Sequence, residues 1–128
     1  MMKILLSIKP EFAQSIFRGQ KEYEYRKSIF RRKDVDKAIV YATRPVCRVI
    51  GEFSIESVLK SSPFELWEGT SRKSGISKRF FDQYFQGRKI GFALKIKNPV
   101  LYKEPVVLSR FSKVAPQSFK YIEEKEKV

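Results

Sequence analysis

A chain of 128 residues with 42% hydrophobic and 14% aromatic content has the length and composition of one compact domain with its own core, which excludes a disordered tail. One cysteine, Cys47, and no histidine exclude an internal disulfide, a Cys/His zinc site and any Ser-His or Cys-His nucleophilic pair. The formal net charge of +13 is concentrated in two stretches, ten basic against four acidic residues over 18–48 and eight against one over 71–97.

The opening residues 3–8 read as a short apolar strand, since the apolar core is too brief for a signal peptide. Pro10 at a first helical position and Gly19 at a helix end bracket a helix whose Phe12, Ala13, Ile16 and Phe17 share one face. Residues 22–27 alternate as a strand, with Glu24 and Arg26 on one side and Tyr23 and Tyr25 on the other, the tyrosine side facing core. Residues 29–36 read as a charged loop and 37–43 as a strand stopping at Arg44-Pro45. A longer strand follows over 46–59, with Val49, Phe53 and Ile55 in phase and Gly51 marking a bulge or a close backbone approach.

Ser62-Pro63-Phe64-Glu65 is a capping box opening a short helix to about Gly69, where Trp67 reads as packing. A helix after Ser77 places Phe80, Phe81, Tyr84 and Phe85 on one buried face and ends at Gly87. Ile90, Phe92, Leu94 and Ile96 alternate with small and basic residues, which predicts a half-buried strand with a partly basic second face. Strands over 102–108 and 119–122 complete one domain spanning 1–122, and residues 123–128 form a charged, frayed tail. Six strands with short helices make an α+β protein, read as a β-barrel decorated by helices.

The segment Gly19 to Arg26 carries the densest chemistry. Lys21 stands in the turn before a strand on which Glu24 and Arg26 share a face, so three ionic groups converge on one place. Spacing alone favours a surface ion-pair cluster over a site for an anionic ligand. Lys9 ahead of the first helix, Thr43 and Arg44 at a strand end, and Gln117 and Ser118 in a stiff turn are further polar positions able to hold phosphate or read base edges. The two basic stretches suit a phosphate-backbone partner, although the same surplus suits a basic protein with none. Membranes fit less well, because no basic amphipathic helix and no apolar run of about 20 residues is present.

Gly19-x-Lys21-x-x-Glu24-x-Arg26, directly after a first helix, resembles the signature of ASCH-domain proteins, a branch of the PUA-like superfamily. Ser7-Ile8-Lys9-Pro10, Tyr41-Ala42-Thr43-Arg44-Pro45, Ile50-Gly51-Glu52-Phe53 and Ala115-Pro116-Gln117-Ser118-Phe119 are similar to small stand-alone prokaryotic members. The resemblance implies a PUA-like six-stranded β-barrel, a cleft beside the first helix lined by Lys21, Glu24 and Arg26, and an RNA-related function. Thr43 and the Gln117-Ser118 turn would neighbour that cleft. One branch hydrolyses the amide of N4-acetylcytidine with a lysine, a threonine and a glutamate; this chain has Lys21, but Glu24 stands where that threonine would be. Another branch shows ribonuclease activity.

The expected function is therefore a small RNA-binding module, with RNA or a nucleotide as partner, no cofactor, no metal and no membrane. An enzyme on RNA or modified nucleosides, using Lys21 and Glu24 in proton transfer, and a sensor of a small nucleotide or modified base are the alternatives. The single cysteine fits a reducing, cytoplasmic setting.

Overall fold

The computed structural model describes residues 2–123. Its centre is β1 (Met2–Ile8) running parallel to β3 (Val35–Ala42), with Leu5 opposite Ile39 and Ile8 opposite Ala42. Both strands are apolar almost throughout because both faces of the sheet are covered there. Ile4, Leu6, Ala38 and Val40 pack with Ala13 and Ile16 of α1 (Pro10–Phe17), whereas Leu5, Ile39 and Tyr41 join Val49 in a smaller cluster on the reverse face. Helix α1 thus lies against one face and delivers the chain to β2 (Tyr23–Arg26).

Antiparallel pairing adds β4 (Arg48–Ser61), β5 (Gly91–Val106) and β6 (Phe119–Glu123), so that the order across the sheet is β2-β5-β4-β3-β1-β6. The α+β class with six strands and short helices is as the sequence predicts. Closure into a barrel is not: β2 and β6 are the two edges of one open sheet. Side chains span the gap where ladder bonds would be. Arg26 on β2 donates to the Ser118 carbonyl at 2.8 Å, the Tyr121 hydroxyl accepts from the Arg31 amide at 3.0 Å, and Phe30 meets Phe119 edge to face.

Several boundaries also move. β3 begins at Val35 rather than Lys37, because Val35 is buried and pairs with Met2 at the end of the predicted loop. The two strands predicted over 90–97 and 102–108 are one strand, β5, kept continuous through Asn98 (φ 50) by its pairing with β4. Its second face is not basic near the start: Gly91 and Ala93 face the Tyr25–Leu66–Phe81–Phe85 cluster beneath α2 (Pro63–Thr70) and α3 (Lys78–Tyr84). Ile90 lies just outside the strand and is exposed. Glu123 belongs to β6, and the rest of the predicted tail, 124–128, lies outside the described residues.

Both later helices start as the capping pattern requires, with Ser62 accepting from the Glu65 amide and Ser77 from the Phe80 amide. Gly51 is a close approach, since a Cβ there would come within 2.5 Å of the Phe17 ring and of the Val100 carbonyl. Gly69 in α2 is the opposite case, with nothing within 4 Å and no positive φ. Gly69→Ala is therefore expected to stabilise the protein by about 0.5–1 kcal/mol, seen as a raised denaturation midpoint at unchanged m-value.

Candidate ligand-binding site

The site is built where α1 hands over to β2. Gly19 adopts φ +78, and the amides of Gln20 and Lys21 both bond to the Ser15 carbonyl (2.9 and 3.1 Å), turning the chain back beneath the helix. The Glu22 amide then bonds to the Lys73 carbonyl at 2.8 Å, which docks the segment leaving the 3-10 turn Ser71–Lys73 against β2. Lys21 is trapped between them, only 2% exposed, and its ammonium donates to the Ser74 carbonyl at 2.8 Å. The next residue, Gly75, has φ +68, and a Cβ on it would overlap the Lys21 stem.

Around that ammonium the other ionic groups close in. Glu24 is buried, its Oε1 lies 4.0 Å from Lys21 Nζ, and its Oε2 accepts from Arg26 Nη1 at 3.3 Å. Arg26 Nη2 reaches on to the Ser118 carbonyl and, at 3.3 Å, its hydroxyl. Lys21 Nζ also sits over two rings, 4.9 Å from the Tyr25 centroid and 5.5 Å from that of Phe12. Burial is the main influence on Lys21 and lowers its pKa, with the Glu24 charge opposing. Burial likewise pushes the Tyr25 phenol up to about 12; its hydroxyl is bonded to Thr70 Oγ1 at 2.6 Å, and it stays a neutral phenol at physiological pH.

Lys21, Glu24 and Arg26 form the polar floor of a cavity of about 230 Å³ whose walls are apolar, from Phe12, Tyr25, Ile76, Phe80 and Tyr84. Here the structure departs from the predicted all-core face of α3. Phe81 and Phe85 are buried in the second cluster, but Phe80 and Tyr84 are only half-buried and turn into the cavity, their rings 12° from parallel. Their helix is short and sits at the cavity edge, so four aromatics at helical spacing divide between core and wall. Two lysines crown these walls, Lys9 Nζ at 5.1 Å from the Phe80 ring and Lys27 Nζ at 4.8 Å from that of Tyr84.

The predicted polar positions separate into groups. Lys9 lines the cavity together with Lys21, Glu24 and Arg26, and also lines a more open hollow of about 390 Å³ shared with Thr43 and Arg44. Ser118 holds Arg26, and the adjacent Pro116 carbonyl accepts from Ser7 Oγ at 2.8 Å, so the 116–118 turn fastens the rim. Gln117 is exposed and lines neither cavity. Sequence reasoning missed Ser74, Gly75, Ile76, Phe80 and Tyr84; only the isolated glycine at 75 offered a signal, because the contact to Lys21 spans 53 positions in the chain.

The Arg26 bridge carries its own expected result. In Arg26→Ala the β2 edge loses its side-chain tie to the segment before β6, and hydrogen exchange of the 119–123 amides should speed up while that of β1 and β3 is unchanged.

Comparison with known proteins places this geometry. The family model for the ASCH domain matches residues 6–125. An ASCH domain-containing ribonuclease of Zymomonas mobilis is 29% identical over 95% of this chain and 85% of its own. The large ribosomal subunit protein uL22 of Ureaplasma parvum is 31% identical over 93% of this chain, which spans only 39% of that relative's length. The crystal structure of ASCH from Zymomonas mobilis superposes with a TM-score of 0.85 at 27% identity, covering 95% of this chain and 88% of the other. The fold, the match over nearly the whole length and the Gly19–Arg26 signature agree: the chain belongs to the ASCH domain family.

Proposed function

We propose that this protein binds single-stranded RNA, taking one unpaired base into the cavity and holding the adjoining phosphates with the lysines and arginines around it. The observation that carries this reading is the pairing of a charged floor, Lys21–Glu24–Arg26, with walls of aromatic rings in one small cavity. At about 230 Å³ the cavity is below the ~300–1,000 Å³ typical of pockets for drug-sized ligands, so it suits a single ring system while the rest of a strand stays outside. Aromatic faces stack on bases with about 1–3 kcal/mol each, and the polar floor can bond to a base edge.

The phosphates have a route as well. Lys9 stands between the cavity and the hollow lined by Thr43 and Arg44, and Lys27 lies over the Tyr84 ring of the same α3 wall whose Phe80 ring Lys9 covers. Three phosphate contacts to Lys9, Lys27 and Arg44 would give a slope of log affinity against log salt of about −2, at about −0.7 per contact on a single strand. Arg44→Ala is expected to make the slope shallower by about 0.7 and to weaken binding at low salt. Fluorescence anisotropy with labelled single-stranded RNA across a salt series tests this. A salt-independent affinity, or no binding at low salt, contradicts it.

A second reading is favoured by one specific observation, the relative named as a ribonuclease that shares 29% identity over 95% of this chain. In a chain without histidine, Lys21, its pKa lowered by burial, and Glu24 beside it are the cavity's candidates for proton transfer. Cleavage of labelled RNA in the presence of a chelator, lost in Lys21→Met, would establish that reading; intact RNA at micromolar protein would leave the binding module. Hydrolysis of a nucleoside amide has less support, because Glu24, already bonded to Arg26, occupies the place of the hydroxyl nucleophile.

A further inference from the structure

We infer that the base selected by the cavity is uracil. The inference rests on the reading above that the cavity takes an unpaired base, and follows from the order of groups along its floor.

Lys21 and Arg26 have only donors to offer, and Glu24 as a carboxylate has only acceptors. The carboxylate lies between the two cations, Oε1 toward Lys21 Nζ at 4.0 Å and Oε2 toward Arg26 Nη1 at 3.3 Å. Part of this capacity is already used. One ammonium hydrogen goes to the Ser74 carbonyl, and the guanidinium binds Ser118 through Nη2 and Glu24 through Nη1. Some capacity stays uncommitted: two hydrogens on the ammonium of Lys21, whose side chain is only 1% exposed and lies against the Phe12 and Tyr25 rings, the second hydrogen on Nη1, and Glu24 Oε1, for which 4.0 Å is beyond hydrogen-bond reach of Lys21. All three side chains line the cavity. The floor is thus ordered donor, acceptor, donor.

A base edge that answers this order must read acceptor, donor, acceptor. Uracil does so with O4, N3–H and O2. Cytosine and adenine put an unprotonated ring nitrogen in the middle, lone pairs facing the carboxylate. Guanine has N1–H in the middle but sets its amino group against a cation. Each mismatch leaves a desolvated polar group unpaired, the circumstance in which hydrogen bonding discriminates most strongly. The aromatic walls contribute stacking to any base and so leave the choice to the floor.

The test is competition binding by wild-type protein at one low salt concentration, with single-stranded oligomers of uridine, cytidine, adenosine and 3-methyluridine of equal length. The uridine oligomer is expected to bind at least about tenfold more tightly than each of the others, the scale of a good base-edge contact. The 3-methyluridine oligomer separates recognition of N3–H from recognition of a pyrimidine, since only that hydrogen is replaced. In Glu24→Gln the central group can donate as well as accept, so the uridine-to-cytidine ratio should fall toward unity. Equal affinity for all four oligomers, or 3-methyluridine binding as well as uridine, overturns the inference while leaving RNA binding standing. Failure to bind any of them overturns both.

Discussion

Lys21→Met is expected to weaken RNA binding by about one to two orders of magnitude while leaving the fold in place, because a hydrogen bond from a charged group contributes about 1.5–3 kcal/mol. Methionine has nearly the same length, so the slot between Phe12, Tyr25 and Gly75 stays filled. Two opposing terms act on stability. The variant escapes the desolvation of a buried ammonium, and it leaves the Ser74 carbonyl without its side-chain donor. Glu24 keeps Arg26 at 3.3 Å, so no buried charge is orphaned, and the net change should not exceed about 1 kcal/mol.

The same substitution has a pH signature with a definite sign. Burial depresses the Lys21 pKa in the folded protein below its usual 10.5, so between the two values the unfolded chain holds the extra proton. In that window Lys21 makes stability rise with pH, and below the native pKa its destabilising effect is constant. Denaturant unfolding of wild type and Lys21→Met across the alkaline range should therefore show wild type gaining stability relative to the variant as pH approaches 10.5. A difference that grows against wild type with rising pH would contradict the assignment.

Gly75→Ala is expected to destabilise the protein by about 3 kcal/mol, a fall in Tm of about 10 °C, and to impair binding with it. Two causes add. Alanine in the left-handed region costs about 1–2 kcal/mol, and the new methyl must overlap the Lys21 stem, close to its backbone, where a flexible tip cannot swing away. The relief available is displacement of the 74–76 segment, which would take with it the Ser74 carbonyl that aims the ammonium and the Ile76 wall. Thermal unfolding followed by circular dichroism checks the first effect and anisotropy the second. A Tm within about 2 °C of wild type would mean that the segment does not clamp Lys21 as described.

What the sequence revealed and what it hid divide along physical lines. The helices were legible because their signals are local: Pro10 and Gly19 bound the first, and Ser62 and Ser77 cap the other two. The convergence of Lys21, Glu24 and Arg26 was legible because a turn followed by a strand of period two fixes their relative placement. Sheet closure was not, since ladder bonds and side-chain bridges such as Arg26 to Ser118 join the same residue types across 92 positions. The aromatic wall was hidden for a related reason. Phe80 and Phe81 are neighbours in a helix that borders both a core and a cavity, and hydrophobicity does not say which of them each ring meets. The resemblance to ASCH proteins supplied the cleft but not its composition, because Ser74, Gly75 and the walls from Phe12, Ile76, Phe80 and Tyr84 lie outside the signature.

Ligand entering the cavity and ligand merely coating the basic surface leave different traces on the protein. The most direct measurement is a titration of isotopically labelled protein with a short single-stranded uridine oligomer, followed by NMR. The largest shifts are expected at Lys21, Glu24, Arg26, Phe80 and Tyr84, with Lys9 and Arg44 next. Shifts confined to the exposed basic residues Arg31, Arg32, Lys33, Arg88 and Lys89, with the cavity residues unmoved, would contradict it.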